Sequence, residues 1–528
     1  MGSKDNALDA QAATDHHHGK HYTHLPKRSV LAVFVGLVIA MVAAALDQTI
    51  VSTALPTIVG DLGGVNQMLW VTTAYVLTAT VVMPVYGKVG DLVGRKGLFI
   101  FALALFTVGS VVCALASNMG MLIAGRGIQG LGGGGLMILA QAIIADVVPA
   151  RDRGKYMGVM GVAFVLPMLV GPLLGGLFTD HLSWHWAFWI NVPLALVAAI
   201  AAVRFLPKPQ HRESLASFDV WGTVFITAAV VALVLATSWG GVRYDWDSPQ
   251  IIGLFIGVAA FSALFVLAER RAKTPLMPLS IFKNRTFVLS TLAGLFVMFA
   301  LMASMTYLPT FFQIVHGMNA TTAGYMEIPM SVVYLVSSLV SGFLVSRNGR
   351  YKKLMIVSFA LVIAGLVAMT TITQDTSVVL IVGGFLVVLG FGMGLSFEIL
   401  VLIVQNEFPA SEVGTVTAAT NFFREVGTTL GASVAGAIFT RGLASTLSEK
   451  LASFGGLEAL GVEANSITPG IVHMLPGELQ RAIGGAYTDA LVPMFVAMVP
   501  LAIIGTVLML LLKEKPLAKD QAREAAGL

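Results

Sequence analysis

Long apolar runs recur along the 528 residues, separated by short polar segments. A helix needs about 20 mostly apolar residues to cross a bilayer. By that measure, spans lie near 30–58, 68–86, 98–116, 121–147, 156–178, 186–206, 218–239 and 250–268. Six more lie near 286–314, 322–346, 353–372, 377–404, 413–440 and 488–512. The pattern predicts an all-α integral membrane protein with fourteen membrane-crossing helices.

The polar segments orient it. An even number of spans puts both termini on one side, and loops on that side carry Lys88, Arg95 and Lys96, then Arg151, Arg153 and Lys155, then Arg204, Lys208 and Arg212. Further along come Arg270, Arg271, Lys273, Lys283 and Arg285, then Arg347, Arg350, Lys352 and Lys353. The opposite loops hold Arg243, Arg441, Lys450 and Arg481. Basic residues gather on the cytoplasmic side, so both termini are expected there, in a plasma membrane. A miscount of one span would scramble the alternation.

A repeat organises the chain. Gly87, Gly94 and Arg95, between the second and third spans, recur as Gly342, Gly349 and Arg350 at an offset of 255 residues. Repeated halves around a central site are how secondary transporters are built. The expected organisation is a cytoplasmic tail (1–28), a six-helix bundle (29–210), two inserted helices (211–275), a second six-helix bundle (276–513) and a cytoplasmic tail (514–528). An outside loop is expected at 441–487, either as a solvated connector or as a cap over an outward-facing mouth.

Composition removes other classes. Charged residues make up only 11%, against about a quarter in soluble domains, and the mean hydropathy is +0.84. The net charge of +4 is spread along the chain, so no nucleic-acid partner is expected. The one cysteine, Cys113, allows no disulfide framework. Pro26-Lys27-Arg28 precede a full-length apolar run without a cleavage site, which reads as a retained first span. His16, His17, His18, His21 and His24 form a tail that could hold a metal or be a disordered arm; no metal or cofactor is expected to be needed. No catalytic pair is apparent at the membrane surface, so an enzyme is not expected.

Charges inside spans are expensive and usually functional. Asp47 in the first span and Arg126 in the fourth fall at similar depth, at about 1.5 Å per residue, and can approach each other. They form either a switch opened by protonating Asp47 or a fixed pair pinning two helices. Glu327, Glu398 and Glu425 lie within spans of the second half. Each is a candidate for binding a lipophilic cation or a proton, and Arg424 could instead simply pair with Glu398. Tyr75, Phe311 and Phe423 are candidate cavity aromatics.

Several segments carry a resemblance. Gly87-Lys-Val-Gly-Asp91-Leu-Val-Gly94-Arg95-Lys96 matches a cytoplasmic-loop signature. Leu46-Asp47-Gln48-Thr49 with Ala54-Leu55-Pro56, Arg126-Gly-Ile-Gln129-Gly130, Gly171-Pro172-Leu-Leu-Gly175-Gly176 and Phe188-Trp189-Ile190-Asn191-Val192-Pro193 are further motifs, in spans one, four, five and six. Together they resemble the fourteen-span drug:proton antiporter branch of the major facilitator superfamily, the QacA/EmrB type. The resemblance implies alternating access between two bundles, functional as a monomer, exporting a small-molecule substrate against protons. It assigns Asp47 and Arg126 to proton coupling. Gly171, Gly175 and Gly176, with Pro172, let a neighbouring helix come close, either as plain packing or, as the resemblance implies, at a contact that slides between states. Gly87, Asp91, Gly94 and Arg95 are either a latch between the halves or plain topology signals; in the second copy Ser346 replaces the acid. Alternatives are a same-fold exporter of an endogenous lipid, siderophore, peptide or antibiotic, and a membrane receptor or lipid-modifying enzyme on this scaffold.

Tags on either terminus are expected to react only after cells are permeabilised. Labelling of a terminus in intact cells would overturn the orientation.

Overall fold

The computed structural model describes residues 26–63, 67–207, 218–241, 243–452 and 469–517. The histidine tail lies outside them. Among the described residues there are helices and no strands. We number the long helices α1 (Lys27–Leu62), α2 (Met68–Val93), α3 (Arg95–Ala114), α4 (Met119–Val147), α5 (Ala150–His181), α6 (Trp186–Phe205) and α7 (Val220–Trp239). They continue as α8 (Pro249–Arg271), α9 (Arg285–His316), α10 (Ile328–Asn348), α11 (Lys352–Met369), α12 (Val378–Glu407), α13 (Val413–Leu451) and α14 (Gly477–Leu511).

Thirteen helices among the described residues are long and apolar enough to cross a membrane, so the chain is a multi-pass membrane protein. The predicted thirteenth span, α13, is a helix but falls short of that standard. Thr415, Thr417, Thr420, Asn421 and Arg424 are instead buried in the bundle rather than exposed to lipid.

Two further departures concern the long loop. Helix α13 runs on to Leu451 and α14 begins at Gly477, so most of the segment expected as an outside loop is helical or lies outside the described residues. The extensions persist because they bury Leu447, Leu451, Ile483 and Tyr487 against each other. The Thr446 hydroxyl also donates to the Ala486 carbonyl at 2.9 Å.

Apolar residues of α1–α6 fill two clusters and those of α9–α14 a third. Helices α7 and α8 pack on each other, and α7 docks Ile226 and Val230 at a seam with Leu77 of α2 and Val416 and Phe422 of α13. The most enclosed span is α4, 83% buried against 11% for α8. Its glycines explain this, because small residues let backbones touch where lipid offers no hydrophobic drive. A Cβ on Gly132 would lie 2.7 Å from the Cα of Phe106 in α3, and one on Gly134 would lie 2.7 Å from the Cα of Ala79 in α2.

The halves meet mainly at the end of the bundle nearest the described chain ends. There Gly87 of α2 crosses Gly414 and Ala418 of α13, and Gly154 and Gly158 of α5 cross Ser338 and Gly342 of α10. The repeated glycines, Gly87 and Gly342, therefore each sit in a crossing with the opposite half. A Cβ on Gly87 would lie 2.7 Å from the Gly414 carbonyl oxygen.

Gly134→Val should lower the thermal midpoint of detergent-purified protein by several degrees, an overpacking cost of about 1–3 kcal/mol. Gly253→Val on α8, where a Cβ meets nothing within 4 Å, should leave it unchanged. Equal midpoints for both variants would refute the close α2–α4 contact.

Candidate functional site

Asp47 and Arg126 are buried and joined as an ion pair between α1 and α4. The pair is fully dressed. The Asp47 Oδ1 accepts from Gln129 Nε2 and from Asn191 Nδ2, each at 2.7 Å. Ser110 Oγ accepts from both amides, at 3.2 and 3.0 Å, and donates to the Phe188 carbonyl at 2.8 Å. Arg126 also donates to the Gln129 Oε1 at 2.7 Å and to the Val71 carbonyl at 3.2 Å. Its guanidinium lies 4.4 Å from the Tyr75 ring centroid, and the Tyr75 hydroxyl donates to the Ala44 carbonyl at 3.2 Å. Helices α1, α2, α3, α4 and α6 thus converge on one carboxylate. Gln129 and Asn191 lie inside sequence motifs that by themselves name no partner for either amide. The available signal was that polar amides inside apolar helices need partners.

At the end where the halves meet, Asp91 on α2 accepts from the Gly414 and Thr415 amides at 2.9 and 2.7 Å, and from the Thr415 hydroxyl at 2.8 Å. The carboxylate therefore caps α13, where the helix dipole favours negative charge. Arg95 is buried and donates to Asp91 at 2.7 Å, to the Ala142 carbonyl at 2.9 Å and to the Ala410 carbonyl at 3.3 Å; it also pairs with Asp146. Gly94 has φ of 91°, a left-handed turn that suits glycine, and lets α3 begin directly after α2. At the second copy Ser346 takes no acid's role. Instead Arg151 of the first half donates to the Ser346 and Arg347 carbonyls at 3.1 and 2.6 Å.

A second buried polar cluster lies between the halves. Gln141 of α4 donates to the Glu398 Oε2 at 3.3 Å, and its Oε1 accepts from Asn421 Nδ2 at 2.8 Å. Gln405 Nε2 donates to the Gln141 carbonyl at 3.3 Å and to the Thr417 hydroxyl at 3.0 Å. Arg424 donates to Asn421 at 3.3 Å and lies 3.5 Å from the Phe397 ring centroid, without an ion pair to Glu398. Phe397 in turn packs on Phe164 of the first half and on Tyr334. Gln141, Gln405 and Asn421 escaped sequence reading because an isolated amide in a span does not name its partner.

The other candidates are scattered. Glu425 is half-buried on α13. Glu327 lies within the apolar segment 321–348, as expected, at a turn between a short helix, Ala320–Tyr325, and α10. Phe311 is wholly buried against Phe312 and His316, and Phe423 packs on Phe282 and Phe422, both as core contacts. Gly171 and Gly175 do let α5 close on Thr49, Ile50 and Thr53 of α1. Gly176 does not, since a Cβ there would meet nothing, and Pro172 is exposed.

Comparison with known proteins agrees with this architecture. The chain is 40% identical over 488 residues to an uncharacterized MFS-type transporter of Mycobacterium tuberculosis, covering 92% of this chain and 70% of that one. It is 38% identical to the multidrug transporter protein MdtP of Bacillus subtilis, covering 85% and 82%. It is 33% identical to multidrug resistance protein 3 of the same organism, covering 92% and 96%. The fold matches the human organic anion transporter MFSD10, with TM-score 0.58, 15% identity and coverage of 92% and 99%. It also matches the proton:xylose symporter XylE, with TM-score 0.59, 14% identity and coverage of 93% and 98%. A profile of the Major Facilitator Superfamily matches residues 37–432, and the chain belongs to that family of membrane transporters.

Proposed function

We propose that this protein is a proton-driven exporter of small lipophilic or cationic compounds, working as a monomer in the plasma membrane with both termini in the cytoplasm. The observation that carries the reading is the Asp47–Arg126 pair, buried where five helices of one half converge. Relatives named as multidrug transporter and multidrug resistance proteins support export. The chain holds no nucleotide-cradling motif in a plausible context, which leaves an ion gradient as the natural driving force.

On this reading the end where the halves meet is the cytoplasmic gate, and the structure corresponds to a state closed on the inside. Asp91 on α2 holds the gate by capping α13, with Arg95 fixing the carboxylate from behind. Opening inward requires that cap to break and the glycine crossings at Gly87 and Gly342 to separate. Protonating Asp47 neutralises the partner of Arg126. Leaving a buried cation unpaired costs about 3–5 kcal/mol, enough to drive a rearrangement of α4 against α1.

Asp47→Asn is expected to abolish proton-driven efflux of a dye from cells or proteoliposomes while the protein still expresses. Normal efflux by that variant across a range of pH would remove Asp47 from the mechanism. Substrate choice has its own test at the turn before α10. A cation offsets the cost of ionising a buried carboxylate, and a neutral compound does not. Glu327→Gln should therefore weaken transport of lipophilic cations more than transport of neutral compounds. An equal loss for both would assign Glu327 to protons or structure.

A further inference from the structure

Two carboxylates buried in the bundle, Asp47 and Glu398, are solvated very differently by the protein. Asp47 accepts from an arginine and two amides, with the amide bonds at 2.7 Å. Glu398 accepts one amide bond, from Gln141 at 3.3 Å, and its Oε1 is buried without a partner. Charge-assisted bonds run to about 2.7–2.9 Å, so the bond to Glu398 has the length of a weak neutral contact. The hydroxyl of Tyr334 is a second unpartnered buried oxygen. The titratable or charged groups facing Glu398 are Arg424 on α13 and Tyr334 on α10, while α4 presents only the neutral amide of Gln141. Arg424 makes no ion pair; its guanidinium is taken up by Phe397 and Asn421.

We propose that Glu398 is a proton-binding carboxyl additional to Asp47, and that Gln141 transmits its protonation state across the seam between the halves. The inference rests on the proton-antiport reading and adds a site to it. Geometry carries it. A carboxylate left with one neutral donor inside the bundle is costly, and a proton removes that cost. In the ionised form Glu398 attracts the Gln141 amide with a charge-assisted bond, roughly twice as strong as a neutral one. Protonation weakens that bond without touching Asp47.

The consequence is mechanical. Gln141 is also held by Asn421 and, through its carbonyl, by Gln405, so one first-half residue meets α12 and α13 together. A proton arriving from the open end loosens this three-point contact and favours parting of the halves at the closed end. It leaves once Glu398 faces the cytoplasm, and the returning charge re-grips Gln141. A ligand shifts such an equilibrium only by binding the two states unequally, and the Gln141–Glu398 bond supplies the inequality.

The test uses the full chain in proteoliposomes with ethidium as the transported probe. Two readouts are taken: uphill accumulation under an imposed pH gradient, and ethidium counterflow without one. Glu398→Gln is expected to lose accumulation and keep counterflow. Retained accumulation, or parallel loss of both, would overturn the proposal; parallel loss assigns Glu398 to substrate or structure. Wild-type protein that shows counterflow but no pH-driven accumulation would instead refute proton antiport itself. Should Glu398→Gln not be recovered as monodisperse protein, Gln141→Leu carries the same test without removing an acid. It should shift the pH at which counterflow is half-maximal, and an unchanged pH profile overturns the proposal.

Discussion

Hydrocarbon offers no hydrogen-bond partner, so every polar group placed inside the bundle must be met by another from the same chain. Helix α4 is where that constraint is concentrated. Near one end it supplies Arg126 and Gln129 to the Asp47 network. Toward the other end it supplies Gln141 to Glu398 and Asn421. At the closed end it supplies the Ala142 carbonyl and Asp146 to Arg95. Arg126 and Gln141 lie about 22 Å apart by helical rise. Among the described residues α4 thus reaches all three networks, and its glycine-lined surface is what admits the neighbours closely enough. A displacement of α4 therefore bears on the Asp47–Arg126 pair and both inter-half contacts together.

The two copies of the repeat use one geometry with different chemistry. Gly87 and Gly342 each place backbone against backbone at a seam between halves. At the first seam a carboxylate caps a helix, a bond that depends on charge. At the second an arginine donates to two carbonyls at a helix end, where cationic charge complements the dipole. Loss of the acid at Ser346 thus leaves a different fastening, with Arg151 on the opposite half doing the holding. Glycine at both crossings keeps side chains out of the way, so that backbone meets backbone across each seam.

Much of this was legible in the chain alone. Span positions, the repeated glycines and the singling out of Asp47, Arg126 and Asp91 as charges that need partners follow from local properties: the length of an apolar run, a constant offset, and the cost of charge in lipid. Helix α13 marks a limit of that reading. Its polarity makes it a poor span by composition, and only its neighbours explain it, since Thr415, Thr417, Asn421 and Arg424 are buried against α2, α4 and α12.

Tertiary structure decided the partners. Glu398 and Arg424 are both buried acids and bases of adjacent helices, yet they do not pair, because Asn421 and Phe397 hold the guanidinium elsewhere. Gln129, Asn191 and Gln141 were anonymous amides until helices from distant parts of the chain brought carboxylates to them. Gly171 and Gly176 are identical in sequence terms, but one faces Thr49 across a helix contact and the other faces nothing. Hydrophobic length and the cost of a charge in lipid are properties of a segment and can be read from it. A hydrogen bond belongs to two segments, and which two depends on how the helices are rotated and packed.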